Sequence, residues 1–253
     1  MRPARIWQVM LAVLIAASPA VASDAASAEP ETSLAAPARA GGDCPNGYVA
    51  LTFDDGPDPV TTPQIVAALR EHGSRATFFM IGADAQARPD VVILTRAAGN
   101  EVGNHTYDHP FLDEQTEQQV TDELTATTAI LTGMGGPAPT LFRPPYGRSN
   151  EVVERVARRL GLTFVLWSYD SDDYEEATPE DMLDQAEKAR DGDILLYHDR
   201  YQSTVDAVPG VLDVLDRRGI CAGRVLPSST PKQAWLDYDG PDKTYFDAVA
   251  GPW

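Results

Sequence analysis

Five short segments hold most of the side chains able to do chemistry. LTFDDGPDP (51–59) sets two carboxylates, Asp54 and Asp55, side by side at the end of an apolar run. NHTYDHP (104–110) carries His105 and His109; RPPYG (143–147), YDSDDY (169–174) and LLYHD (195–199) follow. Two imidazoles four residues apart can turn toward one point and share a metal. An H-x-x-x-H pair still needs a third, anionic oxygen ligand, and Asp54 and Asp55 are the candidates. Two histidines and one carboxylate leave positions open for water and substrate. A dication would stabilise one of the adjacent carboxylates and leave the other free to act as a base. The chain has four histidines. The fourth, His72, stands before Gly73 at the end of a helical pattern, a place for a structural residue.

Side chains so far apart in sequence need a scaffold that gathers strand ends. The pattern from Tyr48 onward supplies one. Strand-like runs (YVALTF, ATFFMI, EVGNH, LFRPP, TFVLWS, DILLYH, ICAGRV) alternate with helical stretches over 64–70, 90–98, 117–132, 151–160, 180–190 and 204–218, the last with Pro209 near its first turns. Several of the strands are almost wholly apolar, as parallel strands covered by helices must be. About seven such units in one chain predict an α/β fold, a (β/α) barrel rather than an open sheet. In barrels of this kind the functional groups lie at the C-terminal ends of the strands. Here nearly every such end is polar and ionisable. No internal repeat is present.

The rest of the chain bounds the setting. Residues 1–22 combine Arg2 and Arg5 with an apolar run and small residues around Ala22, the pattern of a secretory signal, and no lipobox cysteine follows it. Residues 23–43 are rich in Ala, Ser, Pro and Glu without periodicity and read as a disordered leader. The domain then spans 44–227, and 228–253 form a tail carrying Trp235, Tyr238, Tyr245, Phe246 and Trp253, expected as a strap on the barrel wall. The two cysteines, Cys44 and Cys221, make an even pair, which in a secreted chain suggests a disulfide. Their places beside the first and last strands suit a closed ring. Formal charge is −18 for 20 basic and 38 acidic residues. Without the two arginines of the signal it becomes 18 − 38 = −20. That surface repels nucleic acid and anionic lipid. The expected product is an extracellular monomer with no membrane contact after cleavage.

TFDDGP, HTYDH, RPPYG, YDSDDY and LLYHD occur in the order and spacing of the NodB-homology polysaccharide deacetylases, carbohydrate esterase family 4. The chain resembles that family over about 48–225, most of all its secreted actinobacterial members acting on acetylated xylan or chitin-type oligosaccharides. The resemblance implies a distorted (β/α) barrel, often of seven strands. It implies Asp54 as general base, Asp55 with His105 and His109 as metal ligands, and Arg143 holding Asp54 ionised and oriented. The Tyr146 backbone N–H would stabilise an oxyanion. His198 would be the general acid, oriented by Asp173, and Leu196 would line the acetyl pocket. Tyr174 stands where the family usually has Trp, which changes the pocket wall. The metal best suited to two imidazoles and a carboxylate is zinc, with cobalt or another divalent ion able to replace it.

The reaction so implied is hydrolysis of acetyl groups on a polysaccharide or oligosaccharide. N-acetyl groups of chitin oligomers or peptidoglycan and O-acetyl groups of xylan demand the same machinery. No covalent acyl-enzyme is required, and no G-x-S-x-G is present. The alternative reading is a catalytically inactive carbohydrate-binding barrel. Loss of the base or of a ligand would signal it, and all are present.

Overall fold

A computed structural model describes residues 44–175, 177–233 and 245–251, with side chains described up to Val225. The signal and leader of 1–43 lie outside the described residues, as do Trp235, Tyr238 and Trp253. In chain order the elements are β1 (Tyr48–Gly56), α1 (Thr61–Glu71), β2 (Thr77–Met80), α2 (Gly82–Ala87), α3 (Pro89–Ala97), β3 (Glu101–Asn104) and α4 (Glu117–Gly133). They continue as β4 (Leu141–Phe142), α5 (Glu151–Arg159), β5 (Thr163–Phe164), β6 (Tyr169–Asp170), α6 (Pro179–Lys188), β7 (Ile194–His198), α7 (Gln202–Arg217), β8 (Cys221–Gln233) and β9 (Tyr245–Gly251).

Seven strands lie side by side in the order β5-β4-β3-β2-β1-β7-β6, each parallel to its neighbours. The sheet curls into a distorted barrel, and no ladder joins β5 to β6 among the described residues. Alternation along the central strands sorts the core into two layers. Val49, Leu51 and Phe53 of β1 and Leu195 and Tyr197 of β7 pack outward against Ile65 and Leu69 of α1 and Val211 and Leu215 of α7. Ala50, Phe79, Leu141, Val165, Ile194 and Val225 fill the inside. Along β1 the inward positions become polar toward the C-terminal end, at Thr52 and Asp54.

Local signals fix the helix starts. Thr116 with Gln119 and Thr178 with Asp181 form capping boxes, and the Asn150 side chain accepts from the N–H groups of Val152 and Val153. His72 is the C-cap residue of α1, with its Nδ1 3.9 Å from Asp213 Oδ1.

Some expectations are modified. The LFRPP run gives only two residues of strand, because Pro144 and Pro145 cannot donate to a ladder. TFVLWS stops at Phe164, and the carbonyls of Val165 and Leu166 turn instead to the Arg143 guanidinium. A new strand, β6, then starts at Tyr169. Pro209 lies midway along α7, which runs through it. Besides β6, α2 and the antiparallel pair in which β8 runs past residue 227 to meet β9 were not anticipated.

Cys44 and Cys221 are joined by a disulfide, their Cα atoms 5.5 Å apart. Cys221 pairs with Tyr48 in the β1–β8 ladder, so the first and last strands of the domain are neighbours. β8 takes the N-terminal half of one β1 edge, and β2 takes the C-terminal half of the same edge.

Candidate active site

Successive side chains of a regular strand point to opposite faces, so Asp54 and Asp55 should not meet at one site. An irregularity at the end of β1 brings them together. Asp54 is opposite Phe79 and Gly56 is opposite Met80, which leaves Asp55 as an extra residue without a partner in the β1–β2 ladder. Its φ is 69°, in the left-handed region. On the other edge Asp54 pairs with His198 of β7, which places base and acid candidates on adjacent strands.

The carboxylate of Asp54 is buried and Arg143 is wholly out of contact with solvent. Arg143 Nη1 donates to Asp54 Oδ1 at 2.8 Å and to Thr52 Oγ1 at 2.8 Å. Nη2 donates to the Leu166 carbonyl at 2.9 Å, and the ring of Phe79 lies 4.3 Å from the guanidinium carbon. A buried charge needs this saturation, since an unpaired one would be very costly.

His105 and His109 leave β3 in a loop held from two sides. The Asn104 side chain accepts from Thr106 N at 2.9 Å, and Glu123 Oε2 on α4 accepts from Tyr107 N at 2.7 Å. His105 Nδ1 lies 2.8 Å from the Arg143 carbonyl. A carbonyl can only accept, so Nδ1 carries the proton and Nε2 turns its lone pair inward. His105 Nε2 is 3.4 Å and His109 Nε2 is 3.1 Å from Asp55 Oδ1. That oxygen is buried and makes no well-aligned hydrogen bond. One donor atom from each of Asp55, His105 and His109 can be chosen so that all three lie within 4.8 Å of one another. Burial alone would push the Asp55 carboxyl up, yet the two imidazoles, when protonated, hold it well below the usual carboxylate range. Three converging donors, one of them an unsatisfied oxygen, fit a divalent cation.

On the opposite side, His198 Nδ1 lies 2.6 Å from Asp173 Oδ1. The other Asp173 oxygen accepts from His198 N at 2.8 Å and from Thr204 Oγ1 at 2.6 Å. Burial would lower the imidazole pKa. The bond to Asp173 and the charges of Asp173, Asp54 and Asp55 outweigh it and raise it to about 9. Nε2 thus bears a proton at neutral pH.

Aromatic rings flank both sides. Tyr146 packs on His109 with ring centres 4.6 Å apart, and Phe111 lies 4.3 Å beyond Tyr146. Tyr174 and Tyr201 meet His198 edge-on at 5.3 and 6.1 Å. Tyr146 and Tyr174 are the most open of these, 54% and 46% exposed, and they border the cleft. Leu196, two residues before His198, shares its inward face of β7. Every residue expected at the site is therefore in this region.

The sequence reading missed several supporting groups. Thr52, two before Asp54, could have been found from alternation. Trp167, 5.5 Å from the Arg143 guanidinium carbon, and Thr204 carry no motif. Asp199 adjoins His198, and its buried carboxylate accepts from Thr62 Oγ1. Its carboxylate fills the space over Gly56, where a Cβ would come within 2.1 Å of Oδ2. Burial raises it to about 7.

Residues 41–165 match the family model for polysaccharide deacetylase. A peptidoglycan-N-acetylglucosamine deacetylase of Bacillus cereus is 36% identical over 177 residues, covering 68% of this chain and 83% of that protein. The chain belongs to the polysaccharide deacetylase family. The family likeness extends to solved structures and to larger proteins. A family 4 carbohydrate esterase from Streptomyces lividans in complex with acetate superposes with a TM-score of 0.69 at 38% identity, over 72% of this chain and 94% of that one. A bifunctional xylanase/xylan deacetylase of Cellvibrio japonicus is 37% identical over 191 residues, 75% of this deacetylase-family chain but 28% of that protein. Matches to other long relatives likewise span only 36% and 37% of their lengths.

Proposed function

We propose that this chain is a secreted, metal-dependent deacetylase that hydrolyses acetyl groups on a polysaccharide or oligosaccharide. The observation that carries the reading is the convergence of Asp55, His105 and His109 on one point, with Asp54–Arg143 and His198–Asp173 on either side. Asp55, His105 and His109 would hold the cation, zinc by the preference of the donor set. When bound, it supplies Lewis acidity toward water and the acetyl carbonyl.

The chain's own groups do the rest. Asp54, oriented by Arg143, accepts the proton of the attacking water. The first amide N–H after Pro144-Pro145 is that of Tyr146, a residue in the left-handed region (φ 59°), and it would stabilise negative charge on the carbonyl oxygen. His198 delivers its Nε2 proton to the departing nitrogen or oxygen as the bond to the acetyl carbon breaks, with Asp173 stabilising the imidazolium. Leu196 and Tyr174 wall the acetyl pocket.

The relatives are named for peptidoglycan, xylan and chitooligosaccharide deacetylation. The substrate is accordingly an N-acetyl glycan, acetylated xylan, or both. Secretion is supported by the residue pattern of 1–22 and by the disulfide. No helix among the described residues is long and apolar enough to cross a membrane. The reading includes 23–43 as a leader, 44–227 as the catalytic domain, 228–253 as a tail, and a monomer in solution.

The test is acetate release from chitooligosaccharides, acetylxylan and peptidoglycan, with and without a chelator. Chelator-sensitive release from at least one is expected. No release from any would favour an inactive carbohydrate-binding barrel.

A further inference from the structure

The irregularity that exposes Asp55 creates a problem at its backbone. Three successive carbonyls end β1. That of Asp54 accepts from Asp199 N at 3.1 Å, and that of Gly56 accepts from Ile81 N at 2.8 Å. The carbonyl between them belongs to the extra residue and has no ladder partner. It is taken by a side chain instead. Arg200 Nε donates to Asp55 O at 3.0 Å and Arg200 Nη2 donates to it at 2.6 Å. Nη2 also meets Asp84 Oδ2 of α2 at 2.7 Å.

We infer that Arg200 is a positioning residue for the metal centre, holding the left-handed peptide of Asp55 so that its carboxylate faces His105 and His109. The inference rests on the metal reading proposed above. Two features separate this contact from an ordinary surface ion pair, which would contribute little. Its acceptor is the main chain of a ligand residue at φ 69°, a conformation that persists only where surroundings impose it. The clamp also joins three segments that each border the site: the end of β1, α2, and the residues after His198. Asp84 restrains the guanidinium from the far side, which gives the six-residue α2 a role. Groups that orient a metal ligand commonly change metal affinity by about 10- to 100-fold when removed. Arg200 would do this through a backbone carbonyl rather than through a ligand side chain.

The experiment is zinc titration of the full-length protein against a chromophoric chelator, for wild type, Arg200→Ala, Arg200→Lys and Asp84→Ala. Arg200→Ala should bind zinc at least about tenfold more weakly. Its acetate release should recover toward wild type at saturating zinc, and the melting temperature of its metal-free form should be close to that of wild type. Arg200→Lys, which can supply one donor, and Asp84→Ala, which frees Nη2, should lose affinity less, in the same direction. Should Arg200→Ala fail to fold, the other two variants carry the test. Wild-type affinity in all soluble variants would overturn the role of Arg200 while leaving the metal centre standing. Failure of the wild type itself to bind zinc or another divalent ion would overturn both.

Discussion

Arg143 and Asp54 form an ion pair at 2.8 Å inside the barrel, the guanidinium fully buried and the carboxylate nearly so. The same arginine offers its backbone carbonyl to His105 Nδ1. One residue thus supports both the candidate base and the tautomer of a candidate ligand. Arg143→Met removes both the charge and the fork that reaches Asp54, Thr52 and the Leu166 carbonyl together. Breaking a buried pair of this kind costs roughly 3–5 kcal/mol. The urea unfolding free energy of Arg143→Met should drop by an amount in that range; stability within 1 kcal/mol of wild type, roughly the span of a surface pair, would contradict the assignment.

Asp54→Asn removes the proton acceptor and leaves Asp55, His105 and His109 in place. Zinc content by elemental analysis should stay near wild type, while acetate release drops by roughly 10²–10⁴-fold. Normal turnover would remove Asp54 from the role of base.

His105→Ala should lose metal, because it deletes one of three converging donors. Retention of stoichiometric zinc after desalting would refute the ligand set. Chelator treatment of the wild type should give the same inactive state, reversed by added zinc or cobalt.

The pH dependence follows from His198. Its folded pKa, about 9, lies above the unfolded value of about 6.5. The protonated imidazole is therefore the form that the fold favours. Its contribution to stability is complete below about pH 6.5 and disappears as pH rises through about 9. Acetate release should fall on the alkaline side as the His198 imidazole, the candidate acid, loses its proton. Asp173→Asn removes the main cause of the elevation, so its alkaline limb should move down by more than one pH unit. An unmoved limb would assign the titration to another group.

The Cys44–Cys221 bridge closes a separation of 177 residues. On the chain-entropy model such a loop stabilises by roughly 5 kcal/mol. Cys44→Ser with Cys221→Ser should lower the unfolding free energy toward that amount. The bridge lies at the start of β1, about 20 Å of strand before Asp54. Acetate release per folded molecule should change little.

The fold class and the candidate ligand residues were legible because each sits in a short window. The alternation of apolar runs with helical stretches gave the barrel, and the strand ends gave Asp54, Asp55, His105, His109, Arg143 and His198. What stayed hidden was geometry that no window contains. Nothing in LTFDDGPDP announces that Asp55 drops out of the ladder, which is decided by the register with β2. The six residues of α2 are too few for a helical period, and their use depends on Arg200, 116 positions from Asp84. The break between β5 and β6 follows from Arg143 drawing two carbonyls out of strand pairing. Long-range hydrogen bonds of this sort overrule local propensity.

Asp55, Thr106, His109, Tyr146 and Asp172 are the non-glycine residues with positive φ among those described, and all lie on the strand-end loops around the cleft. Each such residue costs of order 1 kcal/mol or more when it is not glycine. In engineering terms, stability and catalysis pull this chain in different directions. A screen for heat resistance alone would be drawn to Thr106 and Tyr146, where glycine relaxes the backbone, and would erode the cleft while improving the barrel. A thermostable variant that keeps its activity should therefore carry its substitutions on the helices and leave these five positions untouched.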